Sequence, residues 1–254
     1  MKTPLALLLV LTAAFAASGA AGAGGPALAI SASPFSLHLD GAGAGSINVT
    51  NPGTRGVSVV VSTGDLAVST AGAVSVDPKH KPHRSARSWL SVTPGKIELA
   101  PGASAVVTVA AHPPRGAAPG DHYALVLLTS VPPNGVQVGV STRIGVSVVD
   151  TVAGGKAPPP TIRTPKVVTH GKKRMLRVQI ANRGDVLERF ARGKISVDVE
   201  QGSRRVARLV GPGRVLLPHS TGVITLPYPA RLRGRRYVLV VHAGESRTRF
   251  RARL

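Results

Sequence analysis

The chain has 254 residues, of which 32 are Lys or Arg and only 11 are Asp or Glu, so its formal net charge is +21 at pH 7. It contains no cysteine, which excludes disulfides, thiolate metal sites and a cysteine nucleophile. Hydrophobic residues make up 43% of the chain, which excludes a fully disordered protein and predicts a sizeable core. Val is abundant among them and favours strands over helices.

The first 23 residues have the pattern of an export signal. Lys2 precedes an apolar run from Leu5 to Phe15, and small residues that include Ala21 and Ala23 follow it. The run is too short for a transmembrane helix, and Ala21-x-Ala23 suits signal-peptide cleavage. We predict a signal peptide over residues 1–23, an exported mature chain and no transmembrane helix after the signal peptide. An uncleaved membrane anchor is the alternative.

Residues 24–150 alternate between short apolar segments and turns rich in Gly or Pro. The turns include Asn51-Pro52-Gly53 and Pro101-Gly102, where Pro fixes φ and Gly accepts a positive φ. Short strands with turn signals at roughly ten-residue spacing are typical of an immunoglobulin-like sandwich. The predicted strands are Ala27–Ser33, Phe35–Leu39, Ser46–Thr50, Val57–Val61, Ala73–Val76, Trp89–Val92, Lys96–Leu99, Ser104–Val109, Tyr123–Leu128 and Val136–Val149.

A Pro-rich segment over residues 151–164 separates this half from a second one. Pro158, Pro159 and Pro160 are consecutive, which favours an extended linker. We expect an exposed hinge there with few contacts across it, and a Pro-rich loop within one domain is the alternative.

Residues 165–254 repeat the strand-and-turn pattern of the first half. The turn after Asn182 is similar to the turn after Asn51. The predicted strands are Met175–Ile180, Lys194–Val199, Arg205–Val210, Val215–Leu217, Val223–Leu226, Tyr237–Val241 and Arg247–Leu254. The sequence thus predicts an all-β protein with two immunoglobulin-like β-sandwich domains in tandem after a signal peptide.

Several segments between residues 27 and 149 resemble a known family. They are the turn at Asn51, the segment Ala86–Val109 with Trp89, the turn at Pro119-Gly120 before Tyr123, and the strand Thr142–Val148. They resemble the WxL-interacting protein family of Gram-positive bacteria. The resemblance implies a first domain that binds peptidoglycan and a second domain that binds a protein.

Charge divides the two halves. Residues 24–150 contain 8 basic and 6 acidic residues, whereas residues 151–254 contain 23 and 5. A strand over Arg247–Leu254 would place alternate arginines on one face, and a row of guanidinium groups suits phosphate or carboxylate ligands. We predict a polyanion-binding surface; a solvated sheet face is the alternative. Its residues are Arg231, Arg233, Arg235, Arg236, Arg247, Arg249, Arg251 and Arg253.

Other candidate sites have simpler interpretations beside them. Trp89 and Tyr123 could contact a glycan, although the only tryptophan of a sandwich commonly packs inside. Asp77, His80 and His83 have metal-ligand chemistry, but their basic neighbours favour an exposed basic loop. Metal sites and cofactors are therefore not expected.

Catalytic motifs offer little support for an enzyme. Asp198 and Glu200 would share one strand face and could act as a carboxylate pair, but basic neighbours favour surface ion pairs. We predict an exported, non-enzymatic cell-surface binding protein that contacts peptidoglycan or an anionic wall polymer, with a surface protein as a further partner. It would be secreted or wall-associated in a Gram-positive-type bacterium, and nucleic acid is not favoured as a partner.

Two alternatives to this function come from other classes. One is a secreted chaperone or assembly factor of the pilus-chaperone type, which would present an open sheet edge to a client strand. The other is a glycan hydrolase that uses Asp198 and Glu200.

Overall fold

A computed structural model describes residues 30–76, 82–131, 141–171 and 173–254. The predicted signal peptide, most of the Asp77–His83 loop and the segment Val136–Val140 lie outside these ranges. The described ranges form strands and two short 3-10 helices, so the all-β prediction is confirmed. Within them, no helix is long and apolar enough to cross a membrane.

The first half is a sandwich of two sheets. Its strands are β1 (Ser31–Ser33), β2 (Ser36–Asp40), β3 (Ala44–Thr50), β4 (Val57–Gly64), β5 (Leu66–Val68), β6 (Val74–Val76), β7 (Leu90–Thr93), β8 (Lys96–Leu99), β9 (Ser104–Ala111), β10 (Gly120–Val131) and β11 (Arg143–Val152). One sheet has the order β1-β3-β9-β7, and the other has the order β2-β11-β10-β4-β8. Alternate residues of the facing strands, such as Ile47, Val107 and Val126, form the core between the sheets.

The start of the chain contributes to both sheets of this sandwich. β1 pairs with β3, whereas β2 pairs in parallel with β11. Pro34 lies between β1 and β2 and has no N–H to donate to a ladder, which is compatible with the change of sheet there.

The second half is a separate, smaller sandwich. Its strands are β12 (Thr161–Ile162), β13 (Lys166–His170), β14 (Lys173–Ala181), β15 (Glu188–Phe190), β16 (Ile195–Gln201), β17 (Arg204–Val210), β18 (Arg214–Leu216), β19 (Thr221–Pro227), β20 (Arg236–Ala243) and β21 (Ser246–Arg253). β14 lies between β19 on one side and β12 and β13 on the other, and this sheet faces a second one of order β17-β16-β20-β21. Leu176, Ile195 and Leu239 belong to the core between them.

The structure differs from the predicted elements in five places. β5, β13 and β15 were not predicted, and β12 lies inside the segment predicted as a linker. Short strands carry too few residues for a period to be read, and their pairing with distant strands defines them. Trp89 belongs to a 3-10 helix over Arg87–Trp89 rather than to a strand.

Matching asparagine turns close one end of each sandwich. The Asn51 amide donates to the carbonyl oxygens of Arg55, Leu99 and Ala100 at 2.8, 3.1 and 3.2 Å. The Asn182 amide likewise donates to the carbonyl oxygens of Val186 and Leu216 at 2.8 and 3.4 Å. Both side chains are buried and each accepts a hydrogen bond from the N–H two residues ahead.

Polar contacts join the two halves and correct the expectation of a free hinge. The Asp185 carboxylate accepts from Arg84 Nη2 at 2.5 Å, from His219 Nε2 at 3.0 Å and from the Lys156 N–H at 3.1 Å. The Asp121 carboxylate accepts from the Leu187 N–H at 2.7 Å. Pro158 and Pro159 are exposed, but Lys156 just before them is held by its hydrogen bond to Asp185.

We expect Asp185→Ala to loosen the two halves, because Arg84, whose side chain is only 8% exposed, would lose its carboxylate partner. Limited tryptic cleavage at Lys156 and Arg163 should then become faster. Glu245→Ala removes an exposed carboxylate in the second half and serves as the control. Equal cleavage rates in both variants would mean that the apolar contact of Leu217 with Tyr123 and Leu125 holds the halves without the ion pair.

Candidate functional site

A notch one strand wide lies beside the first part of β11. The parallel pairing with β2 covers Ser147 to Thr151 only, whereas the pairing with β10 extends back to Arg143. In the described residues, Arg143–Val146 therefore has no strand on its outer side. We call these four residues the open edge.

The backbone groups of the open edge point alternately into the notch. Ser147 donates its N–H to the Phe35 carbonyl oxygen at 3.1 Å, so its backbone faces the β2 side. Because backbone direction alternates along a strand, the N–H and C=O of Gly145 and Arg143 face the same side. Backbone donors and acceptors at an unpaired edge can accept another strand.

Apolar side chains lie around the open edge. Phe35 stands next to it, immediately before β2, and is 68% exposed. Val131, at the end of the neighbouring strand β10, is also exposed, on the outer face of the same sheet. Ile144 and Val146 of the open edge itself turn toward the core. An extended segment in the notch would thus find apolar contacts as well as hydrogen bonds.

A cleft between the two halves continues from the notch. Its volume is about 780 Å³, and its lining is mostly apolar. Gly145, Ser147 and Val149 of β11 form one side, and Leu187 and Phe190 of the second half are among the residues on the other. Gly145 therefore belongs to both the open edge and the cleft.

The predicted polyanion surface lies on the second sandwich, on different strands from the open edge. Arg247, Arg249, Arg251 and Arg253 are all exposed on one face of β21, and the residues between them are half-buried. Arg236 begins the neighbouring strand, while Arg231 is in a 3-10 helix before it and Arg233 and Arg235 are exposed in the following loop.

The predicted glycan contacts are not arranged as a sugar platform. Tyr123 is buried in the apolar cluster between the halves, with Leu125 and Leu217. Trp89 is half-buried and packs against His122, with ring centroids 4.6 Å apart. Arg84, one of the basic neighbours of His83 in the loop predicted to be exposed, is buried and ion-paired. In the ranges that the structure describes, no group of three or more possible metal ligands occurs.

Asp198 and Glu200 lie on the outer face of β16 and are ion-paired. Arg249 Nη2 lies 2.6 Å from Glu200 Oε2. His242 Nε2 lies 3.2 Å from Asp198 Oδ2, and Arg205 and Arg208 lie 3.6 and 3.8 Å from its other oxygen. Both carboxylates thus form ion pairs, as the simpler interpretation predicted, although Asp198 is buried and does not lie at the surface.

Comparison with known proteins gives matches in structure alone. No protein-family model and no curated protein sequence matches the chain. A solved structure from work on the chaperone–tip adhesin complex of CFA/I fimbriae biogenesis matches with a TM-score of 0.50 at 13% identity, over 88% of this chain and 97% of that chain. The class 5 fimbriae chaperone CfaA (TM-score 0.48, 13% identity) is covered over 99% of its length and covers 89% of this chain. The CupB2 chaperone of Pseudomonas aeruginosa matches with a TM-score of 0.48 at 14% identity, over 88% of this chain and 99% of that chain.

The first of these matches confirms the predicted fold class of two immunoglobulin-like sandwiches in tandem. The comparisons also correct the functional prediction. The match at TM-score 0.50 comes from work on a chaperone–tip adhesin complex and not from a wall-binding protein, so the prediction of a protein that contacts peptidoglycan or wall polyanions is wrong. A Gram-positive wall location has no support either.

Sequence reasoning missed the open edge and Phe35. The available signal was the long alternation from Val136 to Val148 together with Pro34, which divides the first strand. Which part of β11 remains unpaired depends on where β2 joins the sheet, and no local pattern reports that.

Proposed function

We propose that this protein is an exported, non-enzymatic chaperone or assembly factor that binds an extended segment of a client surface protein in the notch beside β11. The observation that carries the proposal is the open edge, where β11 is paired with β10 over Arg143–Val146 but, among the described residues, has no strand on its other side. Addition of a strand to such an edge gives affinity through main-chain hydrogen bonds and specificity through side-chain pockets.

Two further features support this function. Phe35 is exposed beside the notch, where an added strand would bury apolar surface of its ring. The contacts of Asp185 and Asp121 between the halves hold the second sandwich against the cleft that adjoins the notch. The predicted signal peptide supports export.

Gly145 allows a sharp test of the open edge. Gly145→Pro removes an N–H that faces the notch, and proline is tolerated on strands where that N–H is not used in the ladder. Gly145→Ala keeps the N–H, and its Cβ would meet Leu125 at an ordinary 3.5 Å. Both variants should therefore fold, and only the proline variant should lose a hydrogen bond to a client.

The client probe is an immunoglobulin-like domain from which the last strand has been deleted, refolded by dilution from denaturant. The protein and its Gly145→Ala variant should suppress light scattering and co-elute with the probe. Gly145→Pro should bind at least about tenfold more weakly, the factor expected from one lost hydrogen bond. Binding should depend little on salt. Equal binding by a folded Gly145→Pro variant would contradict the proposal.

A further inference from the structure

Three arginines converge at one end of the sheet that contains β20 and β21. Arg236 and Arg253 are directly opposite each other in the register of these strands, and Arg251 is the next residue on the same face as Arg253. All three side chains are exposed. With Glu200 and Gly202 they line a pocket of about 440 Å³.

The acidic residues near this pocket are already engaged. Glu200 is ion-paired with Arg249, and Asp198 is paired with Arg205, Arg208 and His242. Across the described part of the chain, no carboxylate forms an ion pair with Arg236, Arg251 or Arg253. Arg253 uses its Nε to donate to the Gly234 carbonyl oxygen at 3.3 Å, which leaves its terminal nitrogens available.

The arrangement is electrostatically unfavourable without an anion. Like charges directly opposite on neighbouring strands destabilise a sheet, and Arg236 and Arg253 form such a pair. Guanidinium groups match the oxygens of phosphate with paired hydrogen bonds. A phosphate group offers three acceptor oxygens and up to about two negative charges, enough to satisfy several guanidinium groups at once.

We propose that Arg236, Arg251 and Arg253 form a binding site for a phosphate-bearing group, either a free phosphoanion or the headgroup of an anionic lipid. The site is independent of the open edge, because it lies on the second sandwich and involves other strands. It accounts for the placement around one pocket of three guanidinium groups that form no ion pair with any described residue.

Pyrophosphate is the soluble probe for this site. At constant ionic strength, replacing chloride with pyrophosphate should raise the melting temperature of the protein, and calorimetric titration should show saturable binding. Arg253→Gln should weaken pyrophosphate binding at least about tenfold, the loss of one charge-assisted hydrogen bond. In chloride alone this variant should melt no lower than the parent protein, because the repulsion with Arg236 is relieved.

Two matched variants separate a site from general charge. Arg247→Gln removes the same charge from the same face of β21, about 13 Å along the strand from Arg251, beyond the screening length of about 8 Å at 0.15 M salt. It should bind pyrophosphate like the parent protein. Arg253→Lys keeps the charge but lacks the planar fork, so it should bind with intermediate affinity.

Vesicles distinguish the two sources of phosphate. Sedimentation with phosphatidylglycerol–phosphatidylcholine vesicles, lost in Arg253→Gln and kept in Arg247→Gln, would support the site with a lipid headgroup as its ligand. If pyrophosphate binding is lost in Arg253→Gln and kept in Arg247→Gln while the vesicles do not bind, the site is supported with a free phosphoanion as its ligand. Equal weakening of both probes by Arg253→Gln and Arg247→Gln, or binding of neither probe by the parent protein, would overturn the proposal.

Discussion

Replacing Asp150 with Asn is expected to stabilise the protein by about 3 kcal/mol at pH 8 and to have no effect near pH 4. Asp150 on β11 is fully buried, and burial raises the pKa of its carboxyl to about 6, with the charges of Asp40 and Asp121 adding to the effect. The nearby Gly41 N–H acts to lower this pKa. It donates its hydrogen bond to the Thr151 carbonyl oxygen at 3.0 Å, however, so burial remains the larger influence on the pKa.

The sign of this effect follows from proton linkage. The folded protein holds the Asp150 proton more tightly than the unfolded chain, whose aspartates titrate near pH 3.9. The favourable contribution of this group is therefore complete below about pH 4 and is lost as pH rises through about 6. An Asn at this position resembles the protonated carboxyl at every pH, so the variant gains most where Asp150 is ionised.

Urea unfolding of the parent and Asp150→Asn proteins between pH 4 and pH 8 measures this directly. Asp40→Asn removes the charge of an exposed neighbour and should give a smaller gain. A difference between the parent and Asp150→Asn that stays the same at pH 4 and pH 8 would mean that shape or hydrogen bonding at this position matters, and not the buried charge.

Removal of the asparagine side chain from either turn should also lower the free energy of unfolding strongly. Asn51→Ala leaves the carbonyl oxygens of Arg55, Leu99 and Ala100 without their donor, and we expect a loss of about 2 to 4 kcal/mol in the free energy of unfolding. Asn182→Ala leaves two carbonyl oxygens without a donor, one of which was held at the longer distance of 3.4 Å. Its cost should be smaller.

Asn48 offers a control because it is exposed on β3 of the same sandwich. Asn48→Ala should change stability by no more than about 0.5 kcal/mol. Asn51→Asp should be at least as damaging as Asn51→Ala, since a carboxylate would face several carbonyl oxygens and can donate nothing when ionised. Equal stability of the Asn51→Ala and Asn48→Ala variants would show that water replaces the amide without cost.

The alternation of apolar residues and the Gly and Pro turns determined the fold class. Strands such as β3, β9 and β14 carry the period of two that a half-buried strand requires, and their inward residues became the two cores. The same period places Arg247 to Arg253 on one exposed face of β21. The similarity of the turns at Asn51 and Asn182 was also visible locally. In each turn the asparagine side chain accepts a hydrogen bond from an N–H only two residues ahead.

Tertiary structure alone decided the features on which the proposed function depends. The open edge exists because β2 joins β11 at Ser147 and not earlier, which is a matter of pairing between residues more than 100 positions apart. Tyr123 is buried because Leu217 of the second half covers it. Asp150 is buried because β11 is paired at that position with β10 on one side and β2 on the other. Arg236 and Arg253 oppose each other only through the register of β20 and β21. A local pattern reports which face a residue takes, but burial, ion pairing and free edges depend on which distant segment lies beside it.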